Sequence, residues 1–423
     1  MLQIQKIRDE KETVLAGLEK KFFADSALVD KLLELDEQKR SVQVEREEMQ
    51  AQVNKSSKEI GLLMKEGKRD EAEMKKTEVK KLKEEGLEEL SSSFFNLEEE
   101  ITQILLQLPN LPHESVPKGK TEEDNEIIKT QEAPTLSEDA LPHWELAKKY
   151  DLIDFELGVK ITGAGFPVYK NQGAKYQRAL IQYFLDFNSE AGYQEVMPPL
   201  LVNEDSAYGT GNLPDKEGQM YHATADNFYL IPTAEIPITN IYRGEIIDPQ
   251  SLPIKMTGYT PCFRREAGSY GKDVRGLNRL HQFDKVEVVQ LVKAEDSYDV
   301  LDSMVAHVEK LIQSLELPYR ILRLCSGDTS FASALTYDFE VYSAAQKMWL
   351  EVSSVSNFEA FQTNRMKIRT RNENGKTELV HSLNGSALAL PRILACLLEN
   401  NQTESGIRVP KVLQPYFGTD RIA

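Results

Sequence analysis

Phe263-Arg264-Arg265-Glu266 and His281-Gln282-Phe283-Asp284-Lys285-Val286-Glu287 flank an interval that carries Lys272, Arg275 and Arg279. Side chains alternate across a strand, which puts Arg264 and Glu266 on one face of the first stretch and Phe283, Lys285 and Glu287 on one face of the second. Two strands joined by a long basic loop are implied. Residues 264–285 hold six Lys/Arg and three Asp/Glu, a local charge of +3 in a chain whose net charge is −17. Phe283 and Glu287 stand about 13 Å apart at roughly 3.3 Å per strand residue. That span suits a ligand with an aromatic base at one end and an ammonium at the other. A charged surface hairpin would alternate in the same way, but gives no reason for the excess of bases.

Upstream, composition changes sharply near residue 110. No proline precedes Pro109, and a seam repeats on alternating steps of four and three: Leu28, Leu32, Leu35, Lys39, Val42, Arg46, Met49, Val53, Ser56, Ile60, Leu63. A second seam runs Leu90, Phe94, Leu97, Ile101, Ile104, Leu108. Such heptad spacing serves one partner helix. The glycine-centred polar stretch Lys65-Glu66-Gly67-Lys68-Arg69-Asp70 makes the tip of an antiparallel helical hairpin whose arms are on the order of 55 Å long at 1.5 Å per residue. The register slips near Gly86, since Val79 and Leu82 belong to another phase. Residues 1–110 carry 19 Lys/Arg and 25 Asp/Glu, whereas residues 55–83 carry 10 and 6, so the tip half is +4. Contact with a polyanion and simple solvation both account for that tip.

Residues 1–110 therefore form the hairpin, and Pro109, Pro112, Pro117 and Pro134 mark a linker over 111–143. From 144 to 423 the pattern is mixed. Helix-period runs lie near 174–190 and 297–315, and strand-like alternation near 228–232, 259–266, 282–292, 336–341 and 348–355. Strands and helices that do not alternate strictly predict an α+β domain on a mostly antiparallel sheet. No run reaches 18 uncharged apolar residues, so no membrane span is expected. The charged first twenty residues do not read as a secretion signal. Cys262, Cys325 and Cys396 are few and far apart, which points to a reducing, cytoplasmic setting without a disulfide framework.

No P-loop occurs, because Gly268-Ser269-Tyr270-Gly271-Lys272 is too short and lacks the following Ser/Thr, and no GxGxxG opens a helix after a strand. The HxGH and KMSKS signatures are also missing. A third piece near the C-terminus, Ser382-Leu383-Asn384-Gly385-Ser386-Ala387-Leu388-Ala389-Leu390-Pro391-Arg392, leads into an apolar helix. Proline suits a first helical turn. Arg392 there opposes the helix dipole and calls for an anion, either a polyphosphate or a neighbouring acid.

Taken in order, these pieces resemble motifs 2 and 3 of class II aminoacyl-tRNA synthetases. Gly192-Tyr193-Gln194-Glu195-Val196-Met197-Pro198-Pro199 resembles motif 1, the dimer-forming motif. Within the class the chain is most similar to the seryl-tRNA synthetase family, of bacterial type. Pro109-Asn110-Leu111-Pro112-His113, Pro232-Thr233-Ala234-Glu235, Cys325-Ser326-Gly327-Asp328, Thr336-Tyr337-Asp338 and Glu351-Val352-Ser353-Ser354 carry the likeness across almost the whole sequence.

The resemblance implies ATP and L-serine as substrates, with release of pyrophosphate and then AMP. Arg264 would bind the α-phosphate and the reacting carboxylate, with Arg265 beside it. Glu266 would accept from the adenine amino group, Phe283 would stack on the ring, and Arg392 would hold the outer phosphates. Glu351 and Ser354 would carry Mg²⁺, with Val352 and Ser353 completing that ATP-binding stretch. Strict alternation sets Glu351 and Ser354 on opposite faces, so a bend is needed between them. The serine pocket would comprise Thr233, Ala234, Glu235, Glu287, Asn384 and Ser386, with Thr233 and Glu235 on one strand face. His281 is read as structural and turned away from Phe283 and Glu287. The hairpin would grip the long arm of tRNA(Ser), and by family habit tRNA(Sec), in a homodimer. The basic run Arg365, Lys367, Arg369, Arg371 and Lys376 would face the acceptor end or simply solvent. Three departures stand out: Leu335 where the family commonly has Lys, Pro391 where it commonly has Gly, and Leu280 where it often has Val. A seryl-adenylating relative that loads a carrier protein usually lacks the hairpin. A non-catalytic coiled-coil protein would be expected to have lost Arg264, Arg392 or Glu287.

Overall fold

The computed structural model describes residues 1–423 except 135, 137, 138 and 268–274. Lys272 and the Gly268–Lys272 stretch therefore lie outside the described residues. The chain divides into two compact units, Leu2–Pro109 and Asn110–Ala423, the second of which also takes in Met1.

The first unit consists of helices α1 (Ile4–Asp9), α2 (Lys11–Lys20), α3 (Ala27–Lys65), α4 (Arg69–Lys81) and α5 (Glu88–Leu105). At 39 residues, α3 is about 58 Å long. It turns at residues 66–68, where Gly67 takes a φ of +79° that other residues adopt only with strain. Leu32, Leu35, Val53 and Ser56 are buried on α3, as are Ile101 and Ile104 on α5. The charged seam positions do not break the interface. Lys39 Nζ lies 4.9 Å and the Arg46 guanidinium carbon 4.2 Å from the centroid of the Phe94 ring, and Lys39 also pairs with Glu98 at 2.8 Å. The slip in register has a local cause. Leu82–Leu87 is a π-helical turn, which adds a residue and rotates the apolar stripe between α4 and α5. Met49 packs against Gly86 so closely that a Cβ there would lie 2.5 Å from its sulfur.

The second unit is built on an eight-stranded sheet. Its strands are β1 (Glu126–Thr130), β2 (Gln194–Glu195), β3 (Ile254–Phe263), β4 (Gln282–Val292), β5 (Tyr319–Arg323), β6 (Leu335–Ser343), β7 (Met348–Asn357) and β8 (His381–Ala389), in the spatial order β1-β5-β6-β7-β8-β4-β3-β2. Every neighbouring pair is antiparallel except the parallel edge pair β2–β3. The 111–143 stretch, expected as a linker, thus supplies an edge strand, β1. Its short, fully exposed sequence has no hydrophobic alternation that would mark it. Helices α6 (His143–Lys149), α7 (Asn171–Glu190), α8 (Ser297–Ser314) and α9 (Leu390–Asn400) also belong to this unit.

Alternation sorts the two faces of the sheet. Val286 and Val288 of β4, with Phe339 and Val341 of β6, join the core that α9 and α8 complete. Lys285, Glu287, Asp338 and Glu340 turn to the opposite face. Leu335 is buried in that same core, so the departure from the family's lysine is accommodated by apolar packing. Pro391 occupies the first turn of α9, where its missing N–H costs nothing. Among the described residues, no helix is long and apolar enough to cross a membrane.

Candidate active site

Strand register brings the predicted residues together. Glu287 lies opposite Gly258 of β3 and Ser386 of β8, and Asn384 is paired with Val289 of β4 and Ser356 of β7. Glu287 is 2% exposed and its carboxylate accepts from Thr233 Oγ1 at 3.1 Å and from Lys285 Nζ at 2.5 Å. Lys285 Nζ also donates to Thr233 Oγ1 at 2.9 Å. Glu235 approaches from above this face. Its carboxylate accepts from Gln362 Nε2 at 2.5 Å and bonds Asn384. Burial, reinforced by the nearby Glu287 charge, pushes the Glu235 carboxyl up to about 7. Two acids and one lysine thus share one pocket. With both acids ionised its net charge is −1, which one ammonium would balance.

The structure corrects the expected strand face for Thr233 and Glu235. Phe228–Leu230 is the strand there, and Glu235 opens the short helix Glu235–Thr239. The two side chains meet through a turn, in which Thr233 Oγ1 accepts from the Glu235 N–H at 3.3 Å. The Ala234 side chain packs in an apolar cluster with Ile238, Met256 and Val289.

At the end of the sheet where β3 and β8 finish and β4 and β7 begin, the Arg264 guanidinium carbon lies 5.1 Å from the Phe283 ring centroid, and its Nε donates to the Pro232 carbonyl at 3.3 Å. Glu266 does not share a strand face with Arg264. Strand β3 ends at Phe263, and Glu266 turns away with φ +50° and accepts from Arg279 at 2.7 Å. The Arg265 side chain is exposed. His281 precedes the first residue of β4, so alternation does not fix its direction. Its ring stacks on Phe166 at 5.4 Å and its Nδ1 lies 2.9 Å from Tyr221 Oη and 3.0 Å from the Arg264 carbonyl. Across the same end, Arg392 Nη1 donates to the Glu351 carbonyl at 2.7 Å, and its Nε donates to the Asn278 carbonyl at 3.1 Å.

The bend required between Glu351 and Ser354 is present. Phe339 pairs with Ser353 but Glu340 pairs with Glu351, which leaves Val352 as the extra residue of a β-bulge. Asp338 and Glu340 share a face, so their partners Ser354 and Glu351 share it too. Val352 points into the core and Ser353 donates to the Ser386 carbonyl at 2.6 Å. Burial and the Glu351 charge raise the Asp338 carboxyl well above its ordinary range, against a hydrogen bond from Ser354. One Asp338 oxygen is buried without a hydrogen-bond partner. These hard oxygen donors fit a divalent cation. Among the described residues no group of three or more His, Cys, Asp or Glu lies close enough together to hold a metal ion.

Lys285, Gln362 and Asp338 were not among the predicted site residues. Alternation did place Lys285 beside Glu287, but nothing in the sequence marks Gln362. Of the basic run, Arg365 is buried and donates to the Tyr208 and Leu213 carbonyls, so it is no surface residue.

A sheet of this topology, with a strand–loop–strand arginine and a strand–helix arginine meeting at one end, defines the catalytic domain of a class II aminoacyl-tRNA synthetase. Residues 220–401 match the tRNA synthetase class II core domain (G, H, P, S and T), and residues 1–112 match the seryl-tRNA synthetase N-terminal domain. The chain is 50% identical to serine–tRNA ligase of Salinibacter ruber over all of its length and 99% of that protein, and 47% identical to serine–tRNA ligase of Methylacidiphilum infernorum over 99% of each. A crystal structure of seryl-tRNA synthetase from Pyrococcus horikoshii complexed with ATP superposes with a TM-score of 0.90 at 34% identity, over 100% of this chain and 99% of that one. The chain belongs to the seryl-tRNA synthetase family.

Proposed function

We propose that the protein is a serine–tRNA ligase. The serine carboxylate attacks the α-phosphorus of ATP, pyrophosphate leaves, and the seryl group then passes from AMP to a terminal ribose hydroxyl of tRNA(Ser). One observation carries this assignment. The buried Glu287 carboxylate, held by Lys285 and Thr233, lies close to the half-buried Glu235, and Arg264 bonds the Pro232 carbonyl beside Thr233. Glu287 and Glu235 receive the α-ammonium, and Thr233, Asn384 and Ser386 offer polar partners to a small hydroxyl. An amino acid without that hydroxyl leaves these groups unpaired, which can reject alanine strongly.

Arg264 lies at the junction of carboxylate and α-phosphate, where a guanidinium fork stabilises charge that builds on the transferred group. Its contact with Phe283 is replaced by adenine stacking on that ring. Arg392 takes the outer phosphates. Glu351 and Ser354 would hold Mg²⁺, which neutralises phosphate charge when ATP is bound. No general base is required, because the nucleophile is already a carboxylate and positioning supplies the rate.

The hairpin binds tRNA through the +4 segment at its tip. The subunits pair through the edge beside β2, where Met197 is 89% exposed and Leu200, Leu201, Ile241 and Ile246 are also exposed. The three free, buried cysteines suit a cytoplasmic enzyme.

ATP–pyrophosphate exchange run in parallel with serine, threonine, alanine and cysteine tests the first step. Exchange dependent on serine alone is expected. Equal exchange with alanine, or none with serine, overturns the assignment. Charging of tRNA(Ser) then separates a tRNA ligase from an enzyme that loads a carrier protein.

A further inference from the structure

His143 and Glu399 are buried far from any titrating role in the steps above, and both are 0% exposed. His143 opens α6 and Glu399 lies in the last turn of α9. Glu399 Oε1 accepts from the His143 backbone N–H at 2.9 Å and from His143 Nδ1 at 2.8 Å. Its other oxygen accepts from Ser343 Oγ and from the Ala345 N–H. Burial alone would raise this carboxyl, but the hydrogen bonds from His143 and Ser343 bring it below its ordinary value. With Nδ1–H committed to Glu399, His143 Nε2 is left as an acceptor, and it accepts from the Leu277 N–H at 2.8 Å.

Leu277 belongs to the segment that returns from the basic loop to β4, and its neighbours dock on α6 as well. The Arg275 guanidinium carbon lies 4.6 Å from the Trp144 ring centroid. Gly276 has φ +65°, and a Cβ there would lie 2.1 Å from His143 Nε2. Only glycine allows so close an approach. Asn278, which follows Leu277, donates its side chain to Gln346 at 2.8 Å, and its carbonyl accepts from Arg392 Nε.

We infer that the His143–Glu399 pair is a positioning device for nucleotide activation. It fixes residues 275–278, and the Asn278 carbonyl in turn aims the Arg392 guanidinium. Arg392 itself sits in the first turn of α9, so the helix that carries this arginine also carries Glu399 at its other end. One rigid helix thus holds the arginine and, through His143, the carbonyl that orients it. This rests on the assignment of Arg392 to the ATP phosphates made above.

Two substitutions separate the two nitrogens. His143→Gln places an amide oxygen where Nε2 accepted from Leu277, whereas His143→Asn keeps a donor for Glu399 and loses the acceptor. Serine-dependent ATP–pyrophosphate exchange is measured with ATP and serine varied in turn, on protein whose circular dichroism matches that of the parent. For His143→Asn the expected result is a loss in kcat/KM for ATP of roughly tenfold to a hundredfold with the serine KM unchanged. His143→Gln is expected to recover most of that loss. Gly276→Ala reaches the same contact from the loop side and should reproduce the His143→Asn loss in kcat/KM for ATP, and both variants should show faster amide exchange at Leu277. Equal effects of Asn and Gln, a serine KM that moves with that of ATP, or a Gly276→Ala enzyme with parental ATP kinetics would overturn the inference. Failure of the parent protein to exchange with serine would instead overturn the assignment of function.

Discussion

Glu287 and Glu235 are two acids in one pocket with opposite histories. Glu287 is matched by Lys285 at 2.5 Å, so its loss strands a buried ammonium. Glu287→Ala should therefore lower kcat/KM for serine by at least about 100-fold, equivalent to roughly 3 kcal/mol, and lower stability as well. Exchange kinetics and thermal unfolding of the same preparation check both. Glu235 is pushed up to about 7 by burial and Glu287, above the 4.5 of an exposed glutamate. A carboxyl raised on folding leaves stability intact below its unfolded value and removes it as pH climbs through the folded value. The ligand-free protein should lose roughly 3 kcal/mol between about pH 4.5 and 7 from this group. Glu235→Gln should abolish that slope, exceed the parent in thermal midpoint at pH 8, and fail to activate serine. A variant no more stable than the parent at pH 8 would contradict the assigned cause. Alternation from Phe283 to Glu287 made half of this pocket legible. Gln362 was not, because a buried glutamine in a short helix has no periodic signal.

Elements were most legible where one partner fixes their period. The hairpin seam could be read through Lys39 and Arg46, whose long side chains cover Phe94 instead of interrupting the stripe. The slip near Gly86 was visible as a phase change, and its physical form is the π-helical turn Leu82–Leu87. The Val352 bulge was demanded by the expectation that Glu351 and Ser354, on opposite nominal faces, act together. By contrast, β1 was missed and β3 was extended past Phe263, because an exposed edge and a strand end have no burial pattern. At this scale the tip charge is testable. Replacing Lys65, Lys68 and Arg69 with Glu should leave serine-dependent exchange unchanged and weaken tRNA charging, with the salt dependence of tRNA binding falling by about one per lost phosphate contact. A matching drop in exchange would mean that the tip acts on the catalytic unit and not on tRNA.

For the whole molecule, the exposed Met197, Leu200 and Leu201 beside the sheet edge predict a partner surface, and Met197→Glu should convert a dimer into monomers in sedimentation at micromolar concentration. A wild-type monomer, or an undisturbed variant dimer, would place the interface elsewhere. The sequence by itself determined the two-part organisation, the antiparallel hairpin and the α+β class, because period, charge and residue type are local properties of the chain. Only the tertiary structure decided that Gln362 bonds Glu235, that the Asn278 carbonyl accepts from Arg392, and that His143 joins Leu277 to Glu399. Those contacts join residues as much as 256 positions apart, and no pattern along the chain records which distant groups close packing brings within hydrogen-bond reach.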